Sequence, residues 1–463
     1  MTTPGTHDAL PPSLARFVAE AGGGRVLRAT PHFAGASRRA WSVDVETGSG
    51  VRPLFLLRDK GDRGGSARDA AFLRALADTP VPVPAVIGTS EADGAILLSR
   101  APGRSEFPPP GDEAERERVA AHLMAVTAAL HALDPSRLAL DFLSDPTGAT
   151  ANADRSAPLA QARAAARALG PGADPFYTFA LDWLEANRPP PPPRLALVHS
   201  DMGPGNFLYE DGRVTAIVDW EVAHVGDPME DLAAIAVRDM ATPVGSLAKR
   251  LREYAAAAGA SVDLARVDYH RAVVLVRNSL MIGLGLAHPS EDFDVVEMTM
   301  YQTLLVRAAA LVLCDNLGLA RPTAADATPV PDTGSGLIDA IRRDFTRHFA
   351  PQARDEATRR RAEAIERALA TLAHEAGTGP ELDRREAEEI AALLDRRVDA
   401  VGRPGLETAL HTALASRAGD PDWVPRAAAY FARRMHRLAE RRRPLMGALY
   451  GRLPQPLAAE DAP

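Results

Sequence analysis

The chain has 463 residues, 46% hydrophobic and 25% charged, which is the balance of a globular protein with room for two or three domains. A net charge of −8 argues against a nucleic-acid backbone as partner. Cys314 is the single cysteine, which excludes intrachain disulfides and a cysteine-based zinc site. The start of the chain has no basic region followed by an apolar core, and the apolar run Ala308–Cys314 is stopped by Arg307 and Asp315. The expected compartment is therefore the cytoplasm, with no membrane partner.

Residues 1–12 carry Pro4, Pro11 and Pro12 and are expected to fray. Leu14, Phe17, Val18 and Ala21 fall at helical spacing, and Gly22-Gly23-Gly24 ends that helix. Val26 to Arg58 reads as three strands, the second being Ala40–Val45 and the third Pro53–Arg58. Between the first two lies Phe33-Ala34-Gly35-Ala36-Ser37, a small-residue turn whose backbone N–H groups suit phosphate oxygens. An ordinary hairpin turn has the same composition. On the third strand a period of two puts Leu56, Arg58 and Lys60 on one face. Arg58 is the preferred cation for a phosphate because it ends the apolar run, and Lys60 is the alternative. A solvated basic strand end explains the same residues.

Ser66–Ala77 reads as a helix with Ala70, Leu73 and Leu76 inward, so that Asp69 or Arg68 faces the third strand. Val81-Pro82-Val83-Pro84 is a stiff linker. Ala85–Gly88 and Ala95–Ser99 read as a strand pair around Ala92-Asp93-Gly94. Glu113–Leu133 is a long helix with Val119, Leu123, Val126 and Leu130 inward, and its His131 reads as structural. Helices follow at Gln161–Leu169 and Phe176–Ala186, and a proline run leads into the strand Leu195–Val198.

That strand opens the most informative stretch, His199-Ser200-Asp201-Met202-Gly203-Pro204-Gly205-Asn206, followed by Asp219-Trp220-Glu221. Turns favour Asp, Asn and Gly for their own reasons. Here, however, Asp201 and Asn206 stand five apart, His199 lies two before the first, and Asp219 ends an apolar run. This set matches the protein-kinase H-R-D-x-x-x-x-N loop with the aspartate of D-F-G. Phosphoryl transfer needs one carboxylate to orient or accept the proton of an attacking hydroxyl. It also needs an amide and a second carboxylate to hold magnesium on ATP. Asp201 is thus the catalytic candidate, and Asn206 and Asp219 are the metal candidates. A P-loop is absent, because neither lysine, Lys60 or Lys249, is followed by Ser or Thr.

Asp227-Pro228 suits a helix start, with Glu230 and Asp231 in the first turn. Helices are expected at Leu247–Ala258, Leu264–Leu286 and Val295–Leu313, then a linker from Arg321 to Gly336. Within it, Asp332-Thr333-Gly334-Ser335 looks like an aspartic-protease signature. Such an enzyme needs a second carboxylate, and no second copy exists, so a turn leading into a helix is expected. Residues 337–453 read as helical.

The loop His199–Asn206, with Ile217-Val218-Asp219-Trp220-Glu221 and Gly226–Ala233, resembles the aminoglycoside phosphotransferase superfamily. The Asp-Trp-Glu and Gly-Asp-Pro pieces are similar to its branch related to the kinase-like domain of some acyl-CoA dehydrogenases. The resemblance covers residues 14 to about 320. It implies an α+β fold, two-lobed and protein-kinase-like, followed by an all-α C-terminal domain. The lobes would be residues 14–100, binding nucleotide, and 101–320, carrying catalysis, with a helical domain of unknown role at 337–453.

The resemblance also implies ATP, Mg²⁺ and transfer of the γ-phosphoryl group to a hydroxyl of a small molecule. Arg58, Gly35 and Ser37 would contact the nucleotide, while His199 and Asp231 buttress the loop. The chain departs from the family at Ser200, which replaces a glycine, at Arg58, which replaces a lysine, and at Asp69, one methylene shorter than the usual glutamate. A hydroxyacyl-CoA-like acceptor follows from the branch, and an antibiotic acceptor from the superfamily name. The rival reading is a pseudokinase or scaffold that binds nucleotide, or a protein through its helical tail.

Overall fold

Alternating apolar and polar residues build the first layer, an antiparallel five-stranded sheet. In the computed structural model, which describes residues 10–32, 38–60, 65–138, 140, 157–170, 173–290, 293–323 and 333–457, helix α1 (Pro12–Gly22) precedes this sheet. Its strands are β1 (Arg25–His32), β2 (Arg38–Thr47), β3 (Gly50–Asp59), β4 (Val86–Ser90) and β5 (Ala95–Ser99), in the order β1-β2-β3-β5-β4. Gly23, at φ 76, stops α1 in the left-handed conformation that glycine adopts without penalty. Leu14 and Val18 of α1 pack on Trp41, Val43, Val45, Leu54 and Leu56, all buried. Each such side chain contributes about 1.5–3 kcal/mol by leaving water.

The other face carries Arg38, Ala40 and Ser42 of β2, opposite Asp59, Leu57 and Phe55 of β3. Helix α2 (Gly65–Leu76) meets this face, and its Asp69 pairs with Arg38.

Along the chain there follow α3 (Glu113–Ala132), α4 (Ala157–Leu169), α5 (Pro175–Ala186), β6 (Ala196–Val198), β7 (Phe207–Glu210), β8 (Arg213–Ile217) and β9 (His224–Gly226). Then come α6 (Met229–Arg238), α7 (Leu247–Ala258), α8 (Leu264–Ala287) and α9 (Val295–Asn316). The chain continues with α10 (Thr333–Asp344), α11 (Glu356–Leu393), α12 (Val398–Arg417) and α13 (Trp423–Arg441). Asp112 caps α3 by accepting from the Glu115 N–H, and Asp263 and Asp294 cap α8 and α9 in the same way. Strand β6 pairs with β9, and β7 with β8, both antiparallel.

The described residues pack as two units. One gathers the chain through residue 140 with Pro191–Val262, so it holds the five-stranded sheet, both small sheets, α3, α6 and α7. The other gathers residues 157–190 with Asp263–Leu457.

The second unit differs from the expected division. Residues 101–320 are not one packing unit, and 337–453 do not form a separate one. The apolar stripes of the tail find their partners earlier in the chain. Phe431 of α13 stacks on Phe179 of α5 with ring centroids 5.1 Å apart, and meets Phe176 edge-on at 5.8 Å. Arg434 of α13 pairs with Asp174, the cap of α5, at 2.9 Å. The buried Cys314 thiol of α9 lies 3.8 Å from the Ala428 carbonyl. Helix α9 is long and apolar enough to cross a membrane, by length and composition only. Here it lies against α8 and α13, with Thr303 and Arg307 buried, and Arg307 donates to the Arg452 carbonyl at 2.9 Å. Asp332 lies outside the described residues, and α10 begins at Thr333.

Candidate active site

The loop between β6 and β7 is anchored from below by one carboxylate. Asp231, wholly buried in the first turn of α6, accepts the N–H of His199 at 2.9 Å and of Ser200 at 2.7 Å. Ser200 sits at φ 64, a conformation that costs a non-glycine residue about 1–3 kcal/mol and persists only where neighbours impose it. His131 of α3 donates its Nε2–H to Asp231 at 3.0 Å and takes the Tyr254 hydroxyl at Nδ1, 2.8 Å away. Burial alone would push the Asp231 carboxyl up. The hydrogen bonds from His131 and from the His199 N–H, with the electrostatic pull of the two imidazoles, outweigh it and hold the group below the ordinary carboxylate value. His131 is thus structural, in support of the loop.

A second tie joins the loop to the strand after it. His199 donates Nε2–H to the Val218 carbonyl at 2.9 Å and meets Trp220 edge-on at 4.8 Å. The Val218 N–H donates to the Asn206 carbonyl at 3.0 Å, which brings Asn206 beside Asp219. Asn206 in turn donates Nδ2–H to Asp201, to the carbonyl at 2.9 Å and to Oδ2 at 2.8 Å. The three residues singled out in the sequence therefore converge. Asp219 is held at φ 70 with its side chain 40% exposed.

Two arginines complete the site, and neither was among the expected residues. Arg238, the last residue of α6, grips the Asp201 carboxylate, with Nε 3.0 Å from Oδ1 and Nη2 2.5 Å from Oδ2. Arg38 of β2 is buried among carboxylates. It pairs with Asp69, with Glu221 at 3.1 Å, with Asp59 at 3.7 Å and with Asp219 at 3.7 Å. Burial would favour loss of its proton, yet Asp69, Asp219 and Glu221 raise its already high pKa further. Burial pushes the Asp69 carboxyl up to about 6 in spite of Arg38, and its Oδ1 has no hydrogen-bond partner among the described residues.

Arg58 is not where it was expected. The period of two does put it with Leu56, but that face belongs to α1, and Arg38 and Asp219 lie beyond the other. Arg58 instead acts on Asp93, whose carboxylate bonds Ser90 and Ser13. Lys60 follows the end of β3. Gly35 and Ser37 lie outside the described residues. Arg38 was missed because Arg38-Arg39 looks like a solvated pair, although strand alternation buries one of the two. Arg238 had a signal, since it follows Asp231 by seven residues, two turns along one face of a helix.

Residues 28–270 match the phosphotransferase enzyme family. The chain belongs to that family. This phosphotransferase family member is 31% identical over 170 residues to acyl-CoA dehydrogenase family member 11 of Rattus norvegicus, covering 34% of this chain and 21% of that protein. It is 29% identical over 176 residues to family member 10 of Mus musculus, covering 36% of this chain and 16% of that protein. To viomycin phosphotransferase of Streptomyces vinaceus it is 52% identical over 44 residues, 9% of this chain and 15% of that one. It thus spans about a fifth or less of the length of these relatives.

Among solved structures, it is similar to a macrolide 2′-phosphotransferase of Brachybacterium faecium at TM-score 0.44 and 22% identity, covering 60% of this chain and 94% of that one. An aminoglycoside phosphotransferase in a ternary complex with ADP and hygromycin B gives TM-score 0.41 at 22% identity, covering 64% and 98%.

Proposed function

We propose that this phosphotransferase moves the γ-phosphoryl group of ATP to a hydroxyl of a small molecule. The observation that carries the reading is the convergence of Asp201, Asn206 and Asp219 through the Asn206 bonds to Asp201 and the Val218 tie. Asp201 orients the acceptor hydroxyl and directs its proton away. The hydroxyl oxygen joins the γ-phosphorus as the bond to the bridging oxygen of ADP breaks. Most of the catalysis is positioning and charge.

A magnesium ion fits the donors at hand. Asp219 and the Asn206 amide oxygen are hard ligands, few in number, and Asp219 is open to solvent, as an ion that keeps its waters and binds phosphate oxygens requires. When bound, the ion neutralises phosphate charge. Arg38 takes the part first given to Arg58, a fixed cation beside Asp219 on the sheet face that meets α2.

For the acceptor we favour a hydroxyacyl-CoA-like metabolite, on the stretch shared with the two acyl-CoA dehydrogenase family members. The short, closer match to viomycin phosphotransferase supports an antibiotic as the second reading. The complete set Asp201, Asn206 and Asp219 speaks against a pseudokinase. The test is ATP turnover against a panel of hydroxyacyl-CoAs, other hydroxylated metabolites and antibiotics, with Asp201→Asn as control. Turnover that no panel member stimulates, or that survives in Asp201→Asn, would overturn the reading.

A further inference from the structure

Arg238 and Asp231 leave the same face of α6, two turns apart, and both reach the loop between β6 and β7. Asp231 holds the backbone of His199 and Ser200. Arg238 holds the next residue, Asp201, by its side chain. Nε and Nη2 meet the two carboxylate oxygens, while Nη1 donates to the Pro204 carbonyl at 2.8 Å. This two-point fork is a geometry that lysine does not offer.

The loop is shaped around that guanidinium. Gly203 stands at φ 136, and a Cβ there would lie 2.9 Å from Arg238 Cδ. Gly205 stands at φ 97, and a Cβ there would lie 3.2 Å from Arg238 Nη1. Both glycines give the arginine room as well as left-handed backbone. An incidental surface ion pair needs no such accommodation. The pair is only partly exposed, 28% for the Arg238 side chain and 25% for that of Asp201.

We propose that Arg238 is a positioning residue for phosphoryl transfer. Together with Asn206 it fixes the Asp201 carboxylate in one orientation toward the acceptor. A free aspartate turns about two side-chain bonds, and misplacing a reacting group by about 1 Å costs on the order of 10²-fold in rate. Gly203 and Gly205 belong to the same device. The inference rests on the reading of Asp201 as the carboxylate that faces the acceptor.

The test needs no identified acceptor. Its probes are Mg²⁺-ADP alone and Mg²⁺-ADP with aluminium fluoride, which mimics the transferring phosphoryl group with water in the acceptor's place. Affinities are measured calorimetrically for the full chain. Wild type should bind the fluoride complex more tightly than ADP. Arg238→Lys and Arg238→Ala should keep ADP affinity within about twofold and lose about tenfold or more of the added affinity. Millimolar guanidinium should restore it in Arg238→Ala, where the cradle is vacant, and not in Arg238→Lys. The double variant Arg238→Ala with Asp201→Asn should lose no more than Asp201→Asn alone, since one residue acts through the other.

Full retention of the gain in Arg238→Lys, an equal loss of ADP affinity, or additive losses in the double variant would overturn the proposal. So would a wild type that binds ADP and gains nothing from fluoride. A wild type that fails to bind Mg²⁺-ADP would overturn the kinase reading instead. Should Arg238→Ala not fold, Arg238→Lys, which keeps the charge and most of the stem, decides.

Discussion

The carboxylates of the site differ in what surrounds them, and that difference separates their roles. Asp201 faces a guanidinium and an amide, whereas Asp219 is more open. Asp201→Asn keeps size and loses charge, so kcat should fall by roughly 10²–10⁴ with nucleotide affinity nearly unchanged. Asp219→Asn should weaken Mg²⁺-nucleotide binding as well, and titrating nucleotide against both variants separates them. Asp69 is a different case, because its folded value, about 6, lies above the ordinary 3.8. The folded state then holds the proton more tightly, so this group's contribution is full below pH 4 and is lost as pH rises through 6. The gap corresponds to about 3 kcal/mol at most. Asp69→Asn should therefore gain stability relative to wild type between pH 4.5 and 7, measured as urea midpoints. A constant difference across that range would refute it.

At the scale of elements, the alternation along β3 was legible and its direction was not. Leu56 and Arg58 do share a face, but a strand pattern cannot say which face α1 covers and which one α2 meets. The outcome is testable: Arg38→Ala should weaken Mg²⁺-ATP binding, while Arg58→Ala should leave it within about twofold, because of the two it is Arg38 that approaches Asp219. Equal losses in the two variants would return Arg58 to the site. The kinase-like loop could be read because its chemistry is local, three residues within nineteen positions of one another. Arg38 could not be so read, since it meets Glu221 across 183 positions and Asp69 across 31. Strand β9 was missed for a simpler reason: three residues are too few to display a period.

Taken whole, the chain has packing boundaries that cross its sequence boundaries. Composition suggests a linker from Arg321 to Gly336, although Thr333–Gly336 already belong to α10, and composition reports where the backbone is polar, not which apolar faces meet. Phe176 and Phe179 lie far before that linker and Phe431 far after it, yet they share one core. A chain ending at Leu319 lacks Phe431 and would leave Phe176, Phe179 and Cys314 facing water. Losing the burial of three or four large side chains, at about 1.5–3 kcal/mol each, approaches the whole stability of a typical domain, about 5–15 kcal/mol. The truncated chain is expected to aggregate or to melt without a cooperative transition by circular dichroism. A soluble, cooperatively melting product would show that the tail is dispensable. The grip of α6 on the loop between β6 and β7 has a kinetic counterpart. The amide protons of His199 and Ser200 are sequestered on a buried carboxylate, so they can trade with deuterium only when the helix itself lifts away. Their exchange rates should match those of the α6 interior, and should rise together with them when Asp231 is replaced by Asn.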